Sequence, residues 1–458
     1  MGEETGDRSA AGCQSTLCVC ACHNIGEPSA MRPPPSALAL RAADLDRVDP
    51  LAPFRAEFAL PPGQIYMDGN SLGLCSRRAE ASLLRALHEW RTLGIHGWTD
   101  ATPPWLTLTD AIATQLAALV GAAPDEIAVT GSTTTNLHQL LATVFDPTAA
   151  RKAILADPLN FASDAHALRS HLRQRGLDPA THLREVPSRD GRTLDEDDII
   201  AAMTPDVQLA MLPAVLYMSG QLLDVARLTR EAHARGIVIG WDCCHSIGAV
   251  PHHLDRDGVD FAFWCSYKYL NAGPGATGGL YLNRRHFGRA PGLAGWWGVR
   301  KDRRFALSHE HEPAAGAEAL HIGTPNLLSL APLQGSLEMF AEAGGGDALR
   351  AKSLALTSYL MALIDAELAS FGCGIANPRE AARRGGHVAL AHPDAWRLSQ
   401  ALKAAGVVPD FRPPDIIRLA PTALYNTFAD CAETVARLKE IFLTRAHEQF
   451  PAQRALVT

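Results

Sequence analysis

A chain of 458 residues is too long for one small core and points to two or three domains. Hydrophobic residues at 47% and charged residues at 20% are those of a globular enzyme and exclude a disordered chain. A net charge of -7 gives no electrostatic reason to expect nucleic acid or an anionic membrane as partner, and no uninterrupted apolar run stands out as a membrane span.

The first 41 residues read as a disordered tail: they are Gly, Ser and Pro rich, and the acidic opening MGEETGD is no secretory signal. Cys18, Cys20, Cys22 and His23 offer soft-metal ligands, but without a second matched pair no metal site is expected. The other cysteines are scattered or vicinal (Cys243, Cys244), which suits a reducing cytoplasm better than a disulfide framework.

Folded structure is expected from Ala42. Helical periodicity covers residues 78–91 and 106–119. Apolar runs over 126–130, 152–157, 207–212 and 237–242 then alternate with helical segments over 136–145, 163–175, 196–203 and 225–235. Strands without polar faces, separated by helices, predict an α/β fold: a mainly parallel sheet sandwiched by helices. This large domain, with its N-terminal segment, is drawn over 42–332; a smaller α+β domain follows over 333–450, with a long interrupted helix and strands near 387–391 and 416–419.

The most informative stretch is CSYKYLNAGPGATGG. Lys268 lies between the apolar run Phe261–Cys265 and a glycine-rich turn, and a lysine so bracketed is either a cofactor anchor or an ordinary lysine where a strand surfaces. Four further segments hold what a pyridoxal phosphate site needs. Asp242 ends an apolar strand and could keep a pyridine nitrogen protonated, or could merely cap the next helix; His245 follows it. Residues 131–136 (GSTTTN) put hydroxyls and backbone N–H groups at a helix start, a setting for phosphate. Phe161 and Asp164, in NFASD, follow another strand, with Ala162 and Ser163 between them; Phe161 is either a stacking ring or core. Arg418 in IIRLAPTALYN is either a carboxylate clamp or a structural ion pair. Gly273, Gly275 and Gly278 match G-x-G-x-x-G, but a strand rather than a helix follows, which rejects a dinucleotide loop.

YMDGNSLGL from Tyr66, TTNLHQLL from Thr134, NFASD from Asn160, GWDCCHSIG from Gly240, the block from Phe261, GWWG from Gly295, GTPN from Gly323 and RLAPTALYN from Arg418 occur in one order over nearly the whole chain. Together they resemble kynureninase, a fold-type-I pyridoxal-phosphate enzyme of the class V aminotransferase family. The resemblance implies Lys268 as the Schiff-base lysine, with Thr133 and Thr134 on the cofactor phosphate. It implies Phe161 stacked on the ring, Ala162, Ser163 and Asp164 beside it, Asp242 on the pyridine nitrogen and His245 adjacent. Tyr267 would touch the phosphate and move protons, and Arg418 would bind the substrate carboxylate. Trp296 and Thr324 would reach the site from the neighbouring subunit of a homodimer. Trp98, Gly323 and Thr324 look like a bacterial substrate pocket and favour L-kynurenine over 3-hydroxykynurenine. Pro213 stands where some relatives have a hydroxyl residue.

The activity implied is hydrolysis of L-kynurenine to anthranilate and L-alanine in tryptophan and kynurenine catabolism and NAD biosynthesis, by a cytoplasmic enzyme. Its rivals are a related pyridoxal enzyme, such as a cysteine desulfurase or aminotransferase, and an inactive scaffold. A desulfurase would need a mobile loop cysteine; a scaffold would show no cofactor spectrum.

Overall fold

The computed structural model describes residues 36–148 and 150–452. The N-terminal cysteine cluster therefore lies outside the described residues.

Thirteen strands are named in chain order: β1 (Ile65–Tyr66), β2 (Ile127–Val129), β3 (Ala153–Ala156), β4 (Leu183–Glu185), β5 (Val207–Pro213), β6 (Val238–Asp242), β7 (Phe261–Trp264), β8 (Gly279–Leu282), β9 (Gly374–Ile375), β10 (Val388–Ala391), β11 (Val407–Val408), β12 (Asp410–Arg412) and β13 (Ile416–Leu419). The central sheet runs β2-β8-β7-β6-β5-β3-β4; β8 is antiparallel to both neighbours and every other pairing is parallel. Every residue of β2, β3, β7 and β8 is buried, because helices cover both faces, and this explains why these strands read as unbroken apolar runs. Phe261, Phe263 and Trp264 of β7 are wholly buried, each contributing roughly 1.5–3 kcal/mol of apolar burial. β4, unrecognised in the sequence, is an edge strand with two of three residues exposed.

The C-terminal region holds the antiparallel sheet β12-β13-β10-β9. Its core joins Val388, Leu390, Ile417 and Leu419 to Leu356, Leu360 and Ile364, and also to Ala42, Ile65 and Met67. The N-terminal segment thus packs on the small domain, and β1 pairs with β11, Ile65 opposite Val407. Pro332, where the division was drawn, lies inside the helix Leu327–Glu342, whose buried face belongs to the large-domain core; core membership changes within the next helix, between Leu349 and Leu356. An ordered helix, Ala37–Leu40, precedes the expected start at Ala42.

Residues Gly345–Phe371 are long and apolar enough to cross a membrane by length and composition, although Asp347, Arg350, Lys352, Asp365 and Glu367 interrupt their apolar run. Leu356, Leu360, Leu363, Ile364 and Leu368 on that helix are buried in the small-domain core.

Candidate active site

The lysine turn is held by two features. Asn271 adopts a left-handed backbone (φ 56°), its N–H donates to Lys268 O at 2.9 Å and its side-chain Nδ2 donates to Tyr269 O at 2.9 Å. Asparagine tolerates that conformation better than most residues. Against this turn lies Gly73, whose N–H donates to Tyr267 O at 2.7 Å. A methyl group there would stand 2.3 Å from both Lys268 O and Asn271 Oδ1. The GNSLGL segment therefore clamps the backbone that carries the lysine.

Around Lys268 is a cavity of about 230 Å³, whose lining brings together Thr133, Thr134, Phe161, Ser163, Asp164, Asp242, His245, Tyr267, Lys268 and Arg418. Ala162 opens the helix Ala162–Gln174 and does not line the cavity. Lys268 Nζ is 2.9 Å from His245 Nε2. Burial foremost, then the charges of Lys268 and Arg418, hold the His245 imidazole well below its usual pKa, so neutral Nε2 accepts from the lysine. Its Nδ1 is buried and has no partner among the described residues.

Asp242 sits at the carboxyl end of β6 and accepts from Cys244 N at 2.7 Å through Oδ1. It is therefore both turn-forming and cavity-lining. Asp164, 2% exposed, accepts from Asn160 Nδ2 at 2.9 Å. Burial, and next the charge of Asp242, push its carboxyl well above the usual carboxylate range.

The helix Thr133–Val144 begins without a side-chain cap, so its first-turn N–H groups remain available for an anion. Thr134 Oγ1 and Ser163 Oγ are 2.5 Å apart, and Thr133 Oγ1 lies 3.9 Å from Cys244 Sγ. Phe161 is 49% exposed at the cavity mouth and meets Tyr217 edge-to-face at 5.6 Å. Burial raises the Tyr267 hydroxyl above its usual pKa, so it is protonated at neutral pH. These features fit pyridoxal phosphate: an uncapped helix start for the phosphate, buried acids for a protonated ring, a lysine for the aldehyde.

Arg418, wholly buried on β13, donates through Nε to Asp410 at 2.5 Å, through Nη1 to Tyr217 O at 2.8 Å and through Nη2 to Ser71 Oγ at 3.0 Å. It is structural ion pair and cavity residue at once. The sequence reading missed Asn70, Ser71, Tyr217, Cys244 and Arg412, which also line the cavity. Asn70 and Ser71 lay within the quoted GNSLGL motif; Arg412 carried no local signal.

Trp98, Trp296, Gly323 and Thr324 stand apart from this cavity within one chain. Trp98 packs on Trp105 and Trp297 (ring centroids 5.8 and 5.5 Å) and lines, with Trp90, Ile95 and Thr324, a separate apolar groove. Trp296 is 41% exposed beside Trp297 and Phe305. Pro213 ends β5, opposite Asp242.

A family model described as kynureninase C-terminal domain matches residues 349–438. Among curated proteins, a kynureninase of Geobacillus thermodenitrificans is 56% identical over 91% of this chain and 97% of its own length; one of Bacillus thuringiensis is 54% identical over the same shares. Among solved structures, cysteine desulfurases from Thermococcus onnurineus and Escherichia coli superpose with TM-scores of 0.73 and 0.71 at 17% and 18% identity. Each covers 86% of this chain and 98% of its own, and at that identity the likeness is one of fold. With more than half its residues shared over nine-tenths of its length, the chain belongs to the kynureninase family, pyridoxal-phosphate-dependent hydrolases that cleave a carbon–carbon bond.

Proposed function

We propose that this protein hydrolyses L-kynurenine, with one water, to anthranilate and L-alanine, and takes 3-hydroxykynurenine as a secondary substrate. The observation that carries the reading is Lys268, whose amine is held by neutral His245 in a cavity closed by Asp242, Asp164 and Arg418. Pyridoxal phosphate, when bound, supplies an electron sink for charge developing at the substrate's α-carbon. Thr133, Thr134, Ser163 and the first-turn N–H groups would hold its phosphate, Asp242 its ring nitrogen, and Phe161 a ring face.

The chain's own residues then divide the work. Lys268 Nζ moves the proton at the α-carbon, and His245 orients that amine by accepting from it. Tyr267, protonated at neutral pH, has a proton to give at its hydroxyl in the later steps. Arg418 engages the substrate carboxylate, and the family likeness supports a role in tryptophan and kynurenine catabolism or NAD biosynthesis.

A second copy of the chain completes the site in this reading. Leu84, Leu87, Trp90 and Ile95 expose a run of apolar surface beside the groove that holds Trp98 and Thr324, which supports a homodimer in which these residues and Trp296 serve the partner's cavity. The six cysteines of the described residues are free thiols, which suits a cytoplasmic enzyme. For the desulfurase rival, the exposed Cys75 does not line the cavity, and Cys244, which does, is buried with its thiol pKa raised.

The test is incubation of the holoenzyme with L-kynurenine and 3-hydroxykynurenine, following the fluorescence of the aromatic amine. Release of anthranilate with one equivalent of alanine is expected, and L-kynurenine is expected to have the higher kcat/KM. No amine from either substrate overturns the reading.

A further inference from the structure

Arg418 is nearly spent before any substrate arrives. Of its five N–H groups, Nε–H serves Asp410, one on Nη2 serves Ser71 and one on Nη1 serves Tyr217 O, and Nη2 also stands in ion-pair contact with Asp410. A two-pronged grip on a carboxylate through Arg418 alone would compete with these partners.

Arg412 lies two residues from Asp410, so both side chains leave β12 on one face. Its Nε donates to Asp410 Oδ2 at 2.8 Å, the same oxygen that receives Arg418. Its four terminal N–H groups have no protein partner among the described residues. Its side chain is 31% exposed, lines the Lys268 cavity, and sets its guanidinium 5.8 Å from the Tyr217 ring centroid, matched by Arg418 at 5.9 Å. An arginine needed only to neutralise Asp410 has no call on the cavity, because Arg418 already does so. The pair shares one acceptor and one ring and faces one space, with Arg418 committed and Arg412 unspent.

We propose that Arg412 is a second carboxylate-binding residue of this site, giving the α-carboxylate of the amino-acid substrate its two-pronged grip, and that Asp410 is the positioning residue that sets both guanidiniums. The proposal rests on the reading that the cavity binds an α-amino acid. Asp410 faces Arg418 across the β12–β13 ladder, so the strand register itself fixes the pair.

The experiment uses the holoenzyme and its Arg412→Gln and Arg412→Lys variants. KM and kcat are measured with L-kynurenine, inhibition with the decarboxylated analogue that keeps the aryl ketone and amine, and the melting temperature with and without L-alanine. Arg412→Gln is expected to raise KM 10- to 100-fold with kcat within about threefold, to leave inhibition by the carboxylate-free analogue unchanged, and to abolish the stabilisation by L-alanine. Arg412→Lys should recover part of the KM. An unchanged KM, or an undiminished L-alanine shift, overturns the proposal, as does equal weakening toward substrate and analogue. Wild-type protein that releases no aromatic amine sinks the kynurenine reading separately, and the L-alanine shift of wild type against Arg412→Gln then decides the role of Arg412.

Discussion

Replacing Arg418 by lysine keeps one positive charge and removes the planar fork. In the structure that fork joins three places: Asp410 on β12, the Tyr217 carbonyl of the large domain, and Ser71 of the N-terminal segment. An ammonium cannot reach all three, and two of the three bonds should be lost. Hydrogen bonds of a charged group contribute about 1.5–3 kcal/mol each, so the change should cost roughly 3–6 kcal/mol, divided between the folded state and substrate binding. Asp410, with 15% of its side chain exposed, is then left with Arg412 as its main counter-ion. Arg418→Lys should therefore lower the melting temperature by several degrees and also raise KM for L-kynurenine, with a smaller change in kcat. Calorimetry beside steady-state kinetics reads both. An unchanged melting temperature with a raised KM would refute the structural half, and an unchanged KM would refute any part of Arg418 in carboxylate binding.

Gly73→Ala drives a methyl group into Lys268 O and Asn271 Oδ1, both 2.3 Å away; it should cost about 1–3 kcal/mol and shift the lysine turn, read as a lower melting temperature and slower borohydride labelling of Lys268. A variant as stable and as readily labelled as wild type would show that the clamp is slack. Lys268→Ala should abolish both that labelling and turnover, and labelling that persists would place the cofactor on another lysine. The buried His252 is held to a pKa of about 4 by burial, below the ordinary 6.5. The unfolded chain therefore takes up its proton first as pH falls, and stability is lost between about pH 6.5 and 4, by roughly 2 kcal/mol at pH 5. His252→Gln should show a smaller drop in denaturation midpoint between pH 7.5 and 5, and equal drops would contradict it. Trp90→Glu places a charge on the exposed apolar run; sedimentation velocity should show a shift toward monomer together with loss of kcat, and a fully active dimer would exclude this face.

The strands under the site were legible because helices bury them on both faces, so VQLAML and IVIGWD are apolar apart from the half-buried Gln208 and the terminal Asp242. Lys268 and Asp242 were legible because each ends such a run. What escaped was set by tertiary partners. β12 is short, half-buried and followed by two prolines, so neither Asp410 nor Arg412 carried a pattern. The pairing of Ile65 with Val407 joins segments too far apart in sequence for local periodicity to reveal. For Arg418, the clamp and the ion pair were posed as alternatives, yet its N–H groups serve Asp410 while its side chain faces the cavity.

Charge divides the cavity into two poles, and the division orients whatever binds there. At one end lie Asp242 and Asp164, and the carboxyl of Asp164 is pushed well above the usual range by burial and then by the charge of Asp242. At the other end Arg418 and Arg412 meet Asp410 and Asp68, and Asp68 is itself pushed up to about 6 by burial and by Asp410. The buried imidazole of His245 is held neutral by burial and then by Lys268 and Arg418, and that of His387, 6.3 Å from it, by burial and then by Arg418. A ligand carrying a protonated ring at one end and a carboxylate at the other satisfies both poles in one direction only. Reversed, it would set the carboxylate against two acids and the cation against two guanidiniums. Lys268 stands between the poles, where the bond-breaking atoms of such a ligand must lie.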